Sequence, residues 1–277
     1  MISFPNAKIN LGLRILHKRN DGFHELQTLF YPLKDVADIL EIIRNEDDEI
    51  NDDIIFSSSG LTVAGSVEQN LCIRAYHLLK KDIPDLPKIK MHLHKTIPMG
   101  AGLGGGSSDG ASTLMLLNHT FNIGLNKEQL IKYALQLGSD CPFFILNEPC
   151  FATGRGENLM PKIIPLEEYK IVVVHPGIHV STADAFKALN RNPDYKYIGE
   201  DLIDIIKKPI YDWKQLLIND FQSHVIKVHP EIGNIINYLY KQGALFASLS
   251  GSGSAVYGIF EKDLKPVLHF PQTYFYM

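Results

Sequence analysis

Cysteine is scarce: the 277 residues hold three, Cys72, Cys141 and Cys150. They are too few and too scattered for a disulfide framework or a thiolate zinc site, and they suit a reducing compartment. The pairs His92-x-His94 and His175-x3-His179 lack a third ligand at motif spacing, and H-E-x-x-H is absent, so no metal-binding side-chain set is expected. No apolar run is long enough to span a bilayer. The start Met1-Ile2-Ser3-Phe4-Pro5 has no basic region followed by an apolar core, so a cytoplasmic location without membrane contact is the expectation. Positive charge is not in excess either. Lys and Arg number 27 against 31 Asp and Glu, and no basic cluster interleaves with aromatics, which argues against a nucleic-acid partner. No internal repeat or low-complexity tract occurs.

What is present is an ordinary globular composition, 45% hydrophobic and 21% charged. The length is generous for one core, so two lobes are expected, residues 1–155 and 156–277, with the boundary near the turn Ala152-Thr153-Gly154-Arg155-Gly156-Glu157.

The most informative stretch runs from Lys95 to Gly110. Gly100, Gly102, Gly104, Gly105 and Gly106 crowd into it, giving a backbone that tolerates positive φ and close approach by another molecule. Upstream, Ile89, Met91 and Leu93 alternate with polar residues, as a half-buried strand does. Downstream, Asp109 to His119 reads as a helix, with Ser107, Ser108 or Asp109 as candidate N-caps. Strand, glycine loop and helix in that order aim backbone N–H groups and a helix dipole at one point, which suits a phosphate. No Gly-Lys-Ser/Thr follows, so this is not a Walker loop. Gly100, Gly102 and Gly105 satisfy G-x-G-x-x-G, but Glu128, at the offset of the ribose carboxylate, falls in a helical pattern, and a Rossmann fold is rejected.

Before this loop, Phe4 to Leu16 reads as a strand with Ile9, Leu11, Leu13 and Ile15 on one face. Lys8 and Asn10 share the other, expected to be solvated. Lys18 to Leu26 contains an Asn-Asp-Gly turn; taken singly, Phe23 is expected in the core and His24 at the surface. The acidic run Glu46-Asp47-Asp48-Glu49 with Asp52 and Asp53 reads as a solvated hairpin tip. Asn70 to Lys81 reads as a helix, and Asn126 with Gln129 forms a capping box for another that Gly138 closes. Asp140, two residues before Pro142, suits an N-cap and a catalytic carboxylate equally well. Tyr169 to His175 is a buried strand, Ser181 or Thr182 caps a helix, and further helices are expected at Asp212–Gln222 and Pro230–Gln242. The loop Ser250-Gly251-Ser252-Gly253-Ser254 either connects a hairpin or faces the first glycine loop.

Three pieces taken together, Pro5-x-Ala7-Lys8-Ile9-Asn10-Leu11, Pro98-x3-Gly102-Leu103-Gly104-Gly105-Gly106-Ser107-Ser108 and Ser250-Gly251-Ser252-Gly253, resemble the GHMP kinases in residue type and order over residues 4–260. The resemblance implies a two-lobe α+β fold with a nucleotide-binding N-terminal lobe and the active site in the cleft between lobes. ATP would be the phosphoryl donor, gripped by Pro98, Met99, Gly100, Ala101, Gly102, Leu103, Gly104, Gly105, Gly106, Ser107 and Ser108, with Mg²⁺ bound mainly through its phosphates. Lys18-Arg19-x-Asp21-Gly22-Phe23-His24, Gly138-Ser139-Asp140-Cys141-Pro142-Phe143-Phe144, Gly154-x-Gly156-Glu157 and His175-Pro176-Gly177 are similar to the branch that phosphorylates an alcohol carried on cytidine diphosphate. For that branch the implied catalytic residues are Lys8 and Asp140, flanking the hydroxyl. Phe23 and Phe186 would sandwich the cytosine, His24 would read its edge, and Asn10 and Thr182 would help hold the substrate. The position of Phe23 is commonly tyrosine in that branch, and Cys141 stands where a small aliphatic residue is usual. A small-molecule partner is thus expected, with the chain a monomer or weak homodimer. Other readings are a kinase of homoserine or mevalonate, or a non-catalytic nucleotide-binding module.

Overall fold

A computed structural model of the chain describes residues 1–47, 52–63, 65–189, 195 and 197–277. In chain order the elements begin with β1 (Ile2–Ser3), β2 (Asn6–Lys18), β3 (His24–Ala37), β4 (Ile39–Arg44) and β5 (Ile54–Gly60). Next come α1 (Leu71–Asp82), β6 (Ile89–Lys95), α2 (Gly105–Thr120), α3 (Lys127–Leu137) and α4 (Cys141–Leu146). The rest is β7 (Cys150–Thr153), β8 (Asn158–Pro161), β9 (Tyr169–His175), α5 (Thr182–Leu189), α6 (Leu202–Ile205), α7 (Trp213–Leu216), α8 (Gln222–Val228), α9 (Pro230–Lys241), β10 (Phe246–Leu249), β11 (Val256–Glu261) and β12 (Phe275–Tyr276).

The chain folds into two compact units that interleave along the sequence, where a single boundary at 155/156 was expected. The first contains residues 1–8, 32–99 and 104–148, the second residues 9–31, 100–103 and 149–277.

In the first unit four strands are ordered β1-β4-β6-β5. β4 runs antiparallel to β6, while β5 runs parallel to it, with Ile54 opposite Ile89. A parallel pair needs a crossover, and α1 supplies it. Asn70 accepts from the Cys72 N–H at 2.8 Å to start α1, and Cys72, Ile73, Ala75, Tyr76 and Leu79 are buried. β6 alternates as expected, with Ile89, Met91 and Leu93 buried. The Asn126–Gln129 capping box of α3 forms with both bonds at 2.9 Å.

The second unit holds the four-stranded sheet β10-β11-β9-β12 and most of the sheet β2-β3-β7-β8, whose strands β2 and β3 each have residues in both units. α9 buries Ile232, Ile235, Ile236 and Leu239 at helical spacing in a core with Val172, Val174, Leu249, Val256 and Phe260.

Several expectations change. Lys8 and Asn10 are 3% exposed, because β2 is buried on both faces from Asn6 to Ile15 instead of turning one to solvent. Phe23 is 51% exposed and His24 partly buried, the reverse of their separate expectations. The stretch expected as a helix at 212–222 breaks into α7, a bridge from Leu13 to Asn219, and α8. There the Asn219 side chain donates to the carbonyls of Leu249 and Gly251 at 2.9 and 2.8 Å, so tertiary hydrogen bonds outweigh helix propensity. The turn 154–157 joins β7 to β8 as a hairpin inside the second unit. Asp48 and Glu49 of the acidic run lie outside the described residues.

Candidate active site

The glycine loop starts its helix earlier than expected. α2 begins at Gly105, with Gly104 as N-cap in the left-handed region at φ 73°, so Ser107, Ser108 and Asp109 lie within its opening turns. Gly104 has no side chain to cap with. Its carbonyl accepts from the Ser108 N–H at 2.9 Å, and the amides before Ser108 have no intrahelical acceptor by helix geometry. A sixteen-residue helix thus presents first-turn N–H groups and the positive end of its dipole without a capping side chain.

Against this end of α2, within the first unit, sit the two residues expected to flank a hydroxyl. Lys8 Nζ is 3.4 Å from Asp140 Oδ2, the lysine buried and the carboxylate 35% exposed. A Cβ added to Gly104 would come within 3.1 Å of Lys8 Cγ and 2.7 Å of Phe144 Cζ, so the cap glycine packs on the lysine stem. Asp140 occupies the N-cap position of α4 but makes no capping hydrogen bond; its carboxylate pairs with Lys8. Burial, opposed by the Asp140 charge, lowers the Lys8 pKa below the usual 10.5. Cys141 is buried beside Ser107, and burial pushes its thiol up to about 12, which leaves it inert.

A buried ion cluster beneath the loop is absent from the sequence reading. Lys95 pairs with Asp38 and with Asp109 Oδ2, the latter at 2.7 Å, and all three are nearly inaccessible. Asp38 Oδ1 also accepts from the Ile97 N–H at 2.8 Å. A Cβ on Gly105 would stand 2.9 Å from Lys95 Nζ, so the ammonium lies directly under the first residue of α2. Burial and Asp38, opposed by Lys95, push Asp109 up to about 7, and its Oδ1 has no hydrogen-bond partner. Asp38 and Lys95 are too far apart in sequence for spacing to reveal them.

In the second unit the two glycine-containing loops meet. Ser250 Oγ donates to the Gly102 carbonyl at 2.8 Å, and the Ala255 N–H donates to the Ala101 carbonyl at 3.0 Å. A Cβ on Gly102 would strike the Ser250 carbonyl at 2.0 Å, which explains glycine there. The Ser250–Ser254 loop is therefore both a hairpin connection, between β10 and β11, and a partner of the first loop. Asn10 belongs to this knot: its Nδ2 donates to Thr28 Oγ1 at 3.0 Å, its N–H to Ser250 Oγ at 3.3 Å, and its carbonyl accepts from Tyr257. Thr182 Oγ1 lies 2.7 Å from Ser252 Oγ.

The same unit assembles the aromatic residues differently from a plain sandwich. His24 stacks on Phe186 with centroids 4.7 Å apart and planes 18° apart, and Phe221 meets Phe186 edge-on at 4.9 Å. Phe23 instead lies under the guanidinium of Arg155, 4.5 Å from its centroid, a partner that the sequence reading did not single out. Burial and the Lys18 charge lower the His24 pKa below 6.5, which keeps the ring neutral at pH 7.

An uncapped helix N-terminus with a lysine–carboxylate pair packed against it suits a phosphoryl-transfer enzyme that works without a Walker lysine. The description "GHMP kinases N terminal domain" matches residues 70–148 and "GHMP kinases C terminal" residues 202–275. The chain belongs to the GHMP kinases and has their fold; it is a small-molecule kinase with ATP as phosphoryl donor. Among its relatives, 4-diphosphocytidyl-2-C-methyl-D-erythritol kinase of Azobacteroides pseudotrichonymphae is 46% identical over 269 residues, covering 96% of each chain. The enzyme of that name from Bacteroides thetaiotaomicron is 47% identical over 264 residues, 95% of this chain and 93% of its own. A crystal structure of 4-(cytidine 5'-diphospho)-2C-methyl-D-erythritol kinase is similar at a TM-score of 0.75 and 30% identity, covering 94% of this chain and 90% of its own. The Methanococcus jannaschii mevalonate kinase, at a TM-score of 0.69 and 17% identity over 95% of this chain and 92% of its own, shares the fold alone. Among the described residues no helix is long and apolar enough to cross a membrane.

Proposed function

We propose that the chain transfers the γ-phosphoryl group of ATP to the 2-hydroxyl of 4-diphosphocytidyl-2-C-methyl-D-erythritol. The products are the 2-phosphate and ADP, a step of the methylerythritol phosphate route to isoprenoids. The observation that carries the mechanism is the Lys8–Asp140 pair at 3.4 Å beside the uncapped start of α2.

In this reading residues Pro98 to Ser108 line the triphosphate site, and the main-chain N–H groups among them that have no acceptor within the helix stabilise charge spreading over the γ-phosphoryl oxygens. Asp140 accepts the proton of the 2-hydroxyl as that oxygen attacks. Lys8 orients the oxygen and balances the carboxylate. Among the described residues no group of three or more His, Cys, Asp or Glu is placed to hold a metal ion. Mg²⁺ is read as arriving on the nucleotide phosphates, where it neutralises charge.

Phe23, His24 and Phe186 hold the cytosine, with Asn10 and Thr182 contributing to the substrate site. A base hydrogen-bonded in plane to the His24 ring edge is nearly parallel to Phe186, because His24 and Phe186 are parallel within 18°. Stacking contributes about 1–3 kcal/mol and tolerates any base, so the choice of cytosine falls to hydrogen bonds at its edge, including those of the neutral His24.

The test is ADP release measured with 4-diphosphocytidyl-2-C-methyl-D-erythritol, its uridine analogue, mevalonate and homoserine. Turnover with the cytidine compound alone is expected. Equal activity on the uridine analogue would contradict the role of His24, and activity on mevalonate or homoserine would contradict the substrate.

A further inference from the structure

Phe23 is a large apolar side chain that folding leaves 51% exposed. Its backbone is fixed: the Phe23 N–H donates to Asp21 Oδ1 at 3.1 Å, and Arg19 pairs with Asp21 at 2.9 Å and with Glu25 at 3.2 Å. Arg155 stands over the ring from a turn that is fixed just as firmly. Gly154 and Gly156 are both at positive φ, 73° and 109°. The Gly154 N–H donates to Glu25 Oε1 at 2.8 Å, and its carbonyl accepts from the Leu26 N–H at 2.8 Å. Glu157 accepts from the Arg155 N–H at 2.5 Å and lies 3.8 Å from Nε, so the side chain is steered as well as the backbone. Two rigid pieces hydrogen-bonded to the same end of β3 thus bring one guanidinium plane and one phenyl ring together.

We propose that Arg155 is a positioning residue for pyrimidine recognition, its guanidinium holding the Phe23 ring as a preset stacking platform for the base. This rests on the reading that the substrate carries a cytidine diphosphate. A phenyl ring this exposed samples its rotamers unless something holds it, and ordering it at the moment of binding costs affinity. Arginine suits the task because its planar group covers an aromatic face and keeps its charge at any working pH. The site so defined takes a pyrimidine nucleoside and acts on its binding, not on the transfer step.

The experiment titrates cytidine and CDP, by NMR, against the wild type and the variants R155A, R155K, F23A and F23A/R155A, with kcat and KM measured alongside. R155A is expected to weaken both ligands about three- to tenfold and to raise KM by the same factor with kcat unchanged. R155K, which keeps charge but not the plane, recovers part of the loss. In the F23A background removing Arg155 has no further effect, since the residue acts through the ring. Loss confined to CDP would make Arg155 a phosphate contact and overturn the proposal, as would equal losses with and without Phe23. If the wild type binds neither cytidine nor CDP and leaves the cytidine-bearing alcohol unphosphorylated, the substrate assignment has failed; if it does all three and R155A is unaltered, the role of Arg155 has.

Discussion

Lys8 Nζ lies 3.4 Å from Asp140 Oδ2, the one buried near the start of a long strand and the other partly open at the start of a short helix. The pair joins residues 132 positions apart (140 − 8) and gives each a role that neither neighbourhood alone requires. Burial makes the lysine easier to deprotonate than the usual 10.5, although Asp140 opposes this. The alkaline limb of kcat should therefore begin below pH 10.5, where Lys8 loses its charge. Lys8→Met should lower kcat by about 10²–10³. Lys8→Arg, which stays charged, should move the limb to higher pH even if kcat falls; an unmoved limb would show that Lys8 does not set it.

Gly104 and Gly106 separate packing from ligand approach. Gly104→Ala must place a Cβ 2.7 Å from Phe144 at a positive φ, so a loss of about 1–3 kcal/mol in thermal or denaturant unfolding is expected. Gly106 lies inside α2 with nothing within 4 Å of an added Cβ. Gly106→Ala should then stabilise the fold by up to about 1 kcal/mol while raising the KM for ATP, since the methyl group enters space that the phosphates need. A stabilised variant with unchanged KM would move the phosphates away from this turn.

Asp109 predicts a pH dependence of stability. Its pKa is raised from 3.8 to about 7 by burial in the folded state, so the folded chain holds a proton that the unfolded chain has lost between those values. Its contribution is fully present below about pH 4 and is lost as pH rises through about 7. The difference in unfolding free energy between wild type and Asp109→Asn should therefore fall across that window. A difference independent of pH would show that Asp109 is ionised throughout.

Local patterns in the sequence were reliable where neighbours decide the outcome. The alternation of Ile89, Met91 and Leu93 and the Asn126–Gln129 box depend on residues within one element, and both form as read. The glycine loop was legible for a related reason: Gly102 and Gly104 adopt positive φ, which few other residues accept. Burial of Lys8 and Asn10 was not legible, because alternation on β2 says which residues share a face and not what covers it. Asp38, Lys95 and Asp109 were missed since their meaning lies in one another, 57 and 14 residues apart. Asn219 was misread as helical because its hydrogen bonds reach Leu249 and Gly251, about thirty residues on. His24 and Phe186 were named for separate tasks, and only their coordinates show that they stack.

The most direct test of the central claim, that Asp140 takes the proton from the attacking hydroxyl, is single-turnover phosphoryl transfer in Asp140→Asn, with ATP binding measured calorimetrically on the same protein. The rate constant is expected to fall by about 10²–10⁴ while the Kd for ATP changes less than about threefold. A rate constant close to that of the wild type would contradict the account.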